Sequence, residues 1–428
     1  FFTMNIRTSF FLLLVSSFAT SSLSSSSSSV ATDERYLMFQ KFIEDVEKEY
    51  ATKEEHDFRF RIFLQNLDEI ESQNDDNNGN GSYKLGITPF ADLLPHELPL
   101  GHDKTRRYVQ SKREGNLRAS GATADNTKPK LPFHLFDEVD IDLSTLPKEV
   151  DWRKNDPGQP LVTTPIKNQR SCGSCWAFAA TACMESHIAI QTGTLVELSV
   201  QELVSCVPNY RHCGGNGGCT GSTAEIALDF VSQHGMVDEW TFGYQSGNGA
   251  KINCTIMDGG GREDGNLKNI KGAVASIVGF ANLPSNSYKN LMQAVATMGP
   301  VSVTVAASSW GLYKEGVFDD SKSENRDLNH AVVCEGYGTD ETTGEDFWWI
   351  RNSWGPLWGE EGRIRLRRVD PSTLDDPSSD CKTDITPADG IACTKDEDGN
   401  DIVPPTVTAC GTSGVLFDSV VPIGGHLL

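Results

Sequence analysis

The chain changes character near Leu146, and this break restricts the fold more than any other feature. All eleven cysteines and all eight tryptophans lie beyond it. An odd cysteine count leaves at least one thiol unpaired, and the redox compartment decides whether the others pair. The N-terminus bears on that compartment. From Met4, a lone Arg7, the apolar run "FFLLLV" (10–15) and the small residues of "SFATS" (17–21) make a signal peptide over 4–21. Ser16 and Ser17 stop the run short of the roughly 18 apolar residues that a membrane span needs. The sequence therefore predicts entry into the secretory pathway with no membrane anchor, and disulfides for most cysteines. The net charge of −22 argues against nucleic acid or an anionic membrane as partner, since either would repel it.

Residues 22–34 are a Ser-rich spacer with too little apolar surface to fold. Over 35–100 the pattern becomes helical. Phe39, Phe42, Ile43 and Val46 share one helix face, and Phe63, Leu67 and Ile70 share a second. Residues 101–145 open with a basic stretch almost without large apolar side chains, an exposed linker open to proteases. The remaining 146–428 form the larger unit. One long helix starts at Cys175, carries Ala177, Ala180, Met184 and Ile188 on one face, and stops at Gly193. A shorter helix covers 222–234. After Gly299, strand alternation dominates in "PVSVTVAA", "HAVVCEGYG", "DFWWIRNSWG" and "GRIRLRR". Helices followed by antiparallel strands predict an α+β fold, with 370–403 an acidic loop.

The segment "RSCGSCWAFAA" (170–180) carries two cysteines three positions apart. A redox pair would need a strand just before it, and "DPGQPLVTTPIKNQR" is too rich in loop residues to supply one securely. Zinc could draw further ligands from 206–219, although exported proteins more often oxidise such clusters. Two plain disulfide cysteines would leave unexplained why Cys175 opens a helix. A thiol there feels the partial positive charge of the helix N-terminus, which lowers its pKa. Such a nucleophile needs a base. His187 sits on the same helix about 18 Å away, too far to touch the thiol. His330, in "LNHAVVCEGYG", opens a strand, and the next strand delivers Asn352 to orient the imidazole and Trp354 to shield that hydrogen bond.

With these residues in place, the sequence resembles a papain-like cysteine protease of the cathepsin L branch from about Arg35 to the C-terminus. "VDWR" (150–153), "KNQRSCGSCWAF" (167–178), "LNHAVV" (328–333) and "NSWGPLWG" (352–359) match in order. His330 and Asn352 follow Cys175 by 155 and 177 residues, beyond the usual ~130–150, so the chain carries insertions. The resemblance implies a two-lobe fold with a helical left lobe and a β-barrel-like right lobe, preceded by a helical inhibitory propeptide. It implies Cys175 as nucleophile, His330 as base, Asn352 as orienter and Gln169 as oxyanion donor. Glu55, Arg59, Phe63, Asn66, Ile70 and Asn74 reproduce the interspersed pattern of cathepsin L-type propeptides. "GITPFAD" (86–92) follows with Thr88 in place of the family asparagine. The expected activity is endopeptidase hydrolysis of protein and peptide substrates by a latent zymogen, a monomer inhibited by its own propeptide, with no metal or cofactor. A silent peptide-binding or protease-inhibiting relative is the second reading, and a thiol oxidoreductase the third.

The resemblance also pairs Cys172 with Cys219 and Cys206 with Cys254. It leaves Cys213, Cys381, Cys393 and Cys410 open, because the usual partner of Cys410 before the catalytic histidine is missing. Cys183 and Cys334 read as buried hydrophobes. Asn80 and Asn253 are glycosylation sequons. Thr223, Ala224, Thr304, Leu328 and Ala331 are expected around the P2 pocket. Its floor is either Val415 or Asp418, and the reading favours Val415. The compartment is the lysosome, the vacuole or the exterior.

Overall fold

The computed structural model describes residues 34–76, 82–101, 141–154, 161–210, 212–257, 270–321, 323, 326–387, 394–395, 401–402 and 406–428. The signal peptide, nearly all of the spacer and linker, Asn80 and Cys393 lie outside the described residues. Two helices open the described chain, α1 over 34–45 and α2 over Lys53–Asp76. Phe39 and Phe42 of α1 pack against Phe63 of α2, with ring centroids 5.2 Å apart in each case. The α2 polar stripe does different work, clamping the chain that follows. Asn74 both donates to and accepts from the backbone of Leu85. Asn66 donates to the carbonyls of Ala91 and Leu93. Arg59 meets Glu97 at 2.7 Å. Lys48 and Tyr50 both reach the buried carboxylate of Asp92.

The central helix α3 runs over Cys175–Thr192, and Gly193 closes it in the left-handed conformation at φ 73°. The sequence pattern placed one face of it in the core, but every residue from Cys175 to Ala189 is buried. The helix therefore lies inside the protein, packed between two further helices and the sheet, with its few polar side chains buried as well. Helices α4 (Val200–Cys206), α5 (Ala224–His234) and α6 (Tyr288–Thr297) complete the helical set used here. A helical core gathers around α3, α4 and α5, and a second core lies within the sheet.

Among the described residues the main sheet has nine strands: β1 (Tyr83–Leu85), β2 (Val150–Asp151), β3 (Gly279–Asn282), β4 (Val301–Val305), β5 (Tyr313–Phe318), β6 (His330–Thr339), β7 (Asp346–Arg351), β8 (Arg363–Arg367) and β9 (Ser419–Ile423). Their order is β1-β5-β8-β7-β6-β4-β9-β3, with β2 paired to β6. The pairs are antiparallel except β5 with β8. The edge strand β1 belongs to the N-terminal segment, so that segment adds a strand to the larger unit.

A buried polar seam ties the helical core to the sheet. Glu185 of α3, fully buried, accepts from Thr164 (2.5 Å), Lys167 (2.8 Å) and the Leu198 amide (2.8 Å). Arg351 of β7 donates to the Thr164 carbonyl and to Glu335 of β6, which also holds Arg363 of β8. Residues 163–169 are thereby pinned from both sides.

Disulfides join Cys172 to Cys219, Cys206 to Cys254 and Cys381 to Cys410. Cys213 is disulfide-bonded as well. Cys175, Cys183 and Cys334 are free and buried. The 370–403 region is not all loop. Cys381–Asp384 pairs antiparallel with Val407–Cys410, which supplies the bridge partner that Cys410 lacks before His330. Leu328 is fully buried and packs with Ala409, Val407 and Phe417.

Candidate active site

Cys175 begins α3 and His330 begins β6, so the helix end and the strand start meet where the two cores adjoin. His330 Nε2 lies 2.8 Å from Asn352 Oδ1. The imidazole stacks on Trp354 at 5.0 Å, and Trp354 in turn packs edge-on against Trp358. Asn352 follows directly after β7, and its Oδ1 also takes the Ser353 amide. The Cys175 Sγ receives the amide of Ala331 at 3.4 Å. His330 Nδ1, the ring nitrogen turned away from Asn352, is buried and has no hydrogen-bond partner among the described residues.

The protonation of these groups departs from the expectation drawn from the helix N-terminus. Burial pushes the Cys175 thiol up to about 11, outweighing the amides of Ala331, Trp176 and Cys175 itself. Burial likewise brings His330 down to about 4, opposed by the Asn352 bond. Both groups are neutral across the range between, because a charged pair would sit in a site closed to water.

The closure comes from the chain's own residues 98–101. Gln169 Nε2 donates to the Pro99 carbonyl at 2.9 Å and to the Cys172 carbonyl at 2.9 Å, and Trp354 Nε1 reaches Pro99 at 3.2 Å. Gly101 N–H donates to the Asn329 carbonyl at 2.9 Å. Gln169 is held by its amide on the Ser353 carbonyl and by the Ser353 hydroxyl on its Oε1. Ser353 was not singled out from sequence; its place between Asn352 and Trp354 was the available signal. Thr88 donates to the Gly311 carbonyl at 2.6 Å, and Phe90 packs edge-on against Trp354 at 5.1 Å. Thr88 therefore fastens the N-terminal segment directly to the larger unit.

Thr223 and Ala224 are buried at the start of α5, while Thr304 of β4 and Ala331 of β6 are register partners. Val415 is wholly enclosed in the sheet-side core. Asp418 takes the Thr304 hydroxyl at 2.9 Å, and burial, with the charge of Glu225 beside it, pushes its carboxyl well above the usual range. A short turn at Thr412–Gly414 follows Cys410, and Ser413 within it adopts φ 54°. Among the described residues, no cluster of three or more His, Cys, Asp or Glu is arranged to hold a metal ion. Cys172 is bonded to Cys219 and is no redox partner for Cys175.

A free cysteine at a helix start, a histidine hydrogen-bonded to an asparagine and a glutamine beside them thus lie together beneath the N-terminal segment. Residues 146–382 match the papain family cysteine protease and residues 39–98 match the cathepsin propeptide inhibitor domain. The chain belongs to the papain family of cysteine proteases, as a form that carries its propeptide. It is 35% identical over 328 residues to cathepsin L of Sarcophaga peregrina, covering 75% of this chain and 84% of that protein. It is 35% identical over 329 residues to cathepsin L1 of Drosophila melanogaster, covering 75% and 77%. Among solved structures, a recombinant stem bromelain precursor superposes with TM-score 0.62 at 28% identity, covering 91% of this chain and 99% of that one. Digestive procathepsin L 3 of Tenebrio molitor larval midgut gives 0.60 at 25%, with the same coverage.

Proposed function

We propose that the protein is a latent endopeptidase in which Cys175 attacks the peptide carbonyl and His330 moves the protons. Once residues 98–101 leave the cleft, water reaches the site and the thiol proton passes to His330 Nδ1, the nitrogen not committed to Asn352. The thiolate adds to the carbonyl carbon, and the oxyanion is held by Gln169 Nε2 and the Cys175 amide. The C–N bond then breaks as His330 returns its proton to the leaving amine. A water, deprotonated by His330, cleaves the thioester, which releases the acid and restores the thiol.

The observation that carries this reading is the Pro99 carbonyl on Gln169 Nε2, beside Gly101 over the thiol. A peptide of the chain itself rests where a substrate peptide would be polarised. Processing within 101–145 would give a monomeric mature enzyme starting near Leu146, acting in an acidic organelle or outside the cell. Asn253 is exposed and available for a glycan. Among the described residues, no helix is long and apolar enough to cross a membrane. The test is hydrolysis of fluorogenic peptides before and after acid treatment, with and without an epoxide-type thiol inhibitor. Activity that appears with processing and vanishes with the inhibitor supports the reading. Activity of the intact precursor at neutral pH contradicts the latency.

A further inference from the structure

Residues 326–330, which lead into the catalytic histidine, contain no cysteine, and the bridge at Cys410 runs to Cys381 instead. The segment therefore has no covalent tie of its own. Two of its groups nevertheless face the cleft: the Asn329 carbonyl, which takes the Gly101 amide at 2.9 Å, and the His330 imidazole, set by Asn352. The sheet holds the segment from one side. The Asn329 amide donates to the Val305 carbonyl at 3.0 Å, and Asn329 Oδ1 accepts the Ala307 amide at 3.1 Å, at and just past the end of β4.

The hairpin that carries the Cys381–Cys410 bridge holds it from the other side, through three consecutive residues. The Arg326 amide donates to the Thr383 carbonyl at 3.2 Å, Asp327 Oδ1 accepts the Thr386 hydroxyl at 2.8 Å, and the Leu328 amide donates to Asp384 Oδ2 at 3.2 Å. Asp384 is the hub of this grip. Its side chain is fully buried, and its other oxygen takes the Thr386 amide at 2.7 Å. A carboxylate accepts at both oxygens and so joins the two backbone segments at once, which a side-chain amide with one oxygen and one NH2 cannot do. The turn after Cys410 adds a second route to the histidine. Ser413 Oγ receives Trp310 Nε1 at 3.1 Å, and Trp310 packs edge-on against His330 at 6.4 Å.

We propose that Asp384 is a positioning residue for catalysis: by holding the Leu328 amide it fixes the backbone that sets the His330 ring opposite Cys175. The hairpin does by hydrogen bonds what a bridge before the histidine would do covalently. This rests on Cys175 and His330 being the nucleophile and the base. A reacting group misplaced by about 1 Å can cost on the order of 10²-fold in rate, so a loosened hairpin is read in turnover and not in substrate binding alone.

The experiment measures kcat and KM on one fluorogenic peptide for acid-matured full-length protein, native and Asp384→Asn. Active sites in each preparation are counted by titrating the thiol to completion with an epoxide-type inhibitor. That count removes molecules lost to misfolding, which is all that a merely structural carboxylate would cause. The amide keeps one backbone donor and turns its NH2 on the other, so kcat per titrated site should fall about tenfold or more. Thr386→Val removes only the hydroxyl on Asp327 and keeps the side-chain shape, so it should lower kcat per site about threefold, the worth of one hydrogen bond. Unchanged kcat per site in Asp384→Asn overturns the proposal, as does a change confined to KM. Where Asp384→Asn does not fold, an unchanged kcat per site in Thr386→Val overturns it. If native matured protein cleaves no peptide, the failure lies with the protease reading itself.

Discussion

Gly101 lies directly over the Cys175 thiol: a Cβ placed on Gly101 would come within 2.8 Å of Sγ and 3.3 Å of the Asn329 carbonyl. A side chain at this position cannot be accommodated without moving the segment off the nucleophile. Gly101→Leu should therefore weaken latency, with precursor activity at neutral pH rising about tenfold or more for a few kcal/mol of overpacking. The check is peptide hydrolysis by purified full-length variant; activity equal to the native precursor contradicts the contact.

The closed cleft also makes thiol reactivity a reporter of maturation. With the Cys175 thiol pushed up to about 11 and His330 down to about 4, the precursor should react slowly with iodoacetamide near neutral pH. After processing, the pair regains water and the alkylation rate should rise sharply and cease to depend on a high-pH ionisation. Stopped-flow or quenched alkylation across pH on both forms would show this. Equal rates would mean that burial by residues 98–101 does not control the thiol.

Acid should loosen the N-terminal segment through Glu97. Burial pushes its carboxyl up, but the Arg59 bond, the Leu94 amide and the Arg59 charge outweigh this, and the net shift is downward. A carboxyl lowered in the folded state stabilises it above the unfolded value and loses that contribution as pH falls through the folded one. The loss falls below the ordinary glutamate value of about 4.3. Glu97→Gln should make activation faster at pH 5 to 7 and less dependent on acid, measured as the rate at which activity appears.

Two stability and turnover changes separate the scaffold from the chemistry. Glu185→Ala strips the buried Thr164 hydroxyl and Leu198 amide of their acceptor and leaves Lys167 only its looser pairing with Glu197, which should cost about 2–4 kcal/mol, seen as a fall in Tm of several degrees. Gln169→Ala should keep the Tm and lower turnover about 10²-fold, the usual loss for one oxyanion donor. An unchanged turnover would remove Gln169 from the site.

Much of this architecture is legible in the chain because its signals are local or paired by position. The α3 start at Cys175, the Gly193 stop and the α2 stripe each follow from periodicity and capping. His330 and Asn352 meet because consecutive antiparallel strands bring their ends together. The rest depends on long-range packing. The Cys381–Cys410 bridge joins positions 29 apart that meet only because the two strands carrying them pair in the fold. The thiol's elevated pKa could not be read either, since the water that matters is excluded by residues some 75 positions earlier.

The central claim is that Cys175 forms the covalent bond in catalysis. Processed enzyme treated with an epoxide-type thiol inhibitor should be mapped by peptide mass, and residual hydrolysis measured on the same sample. The account predicts one adduct, on Cys175, with activity falling in proportion to its occupancy. Hydrolysis that survives full modification of Cys175, or an inactivating adduct on Cys183 or Cys334 instead, would contradict it.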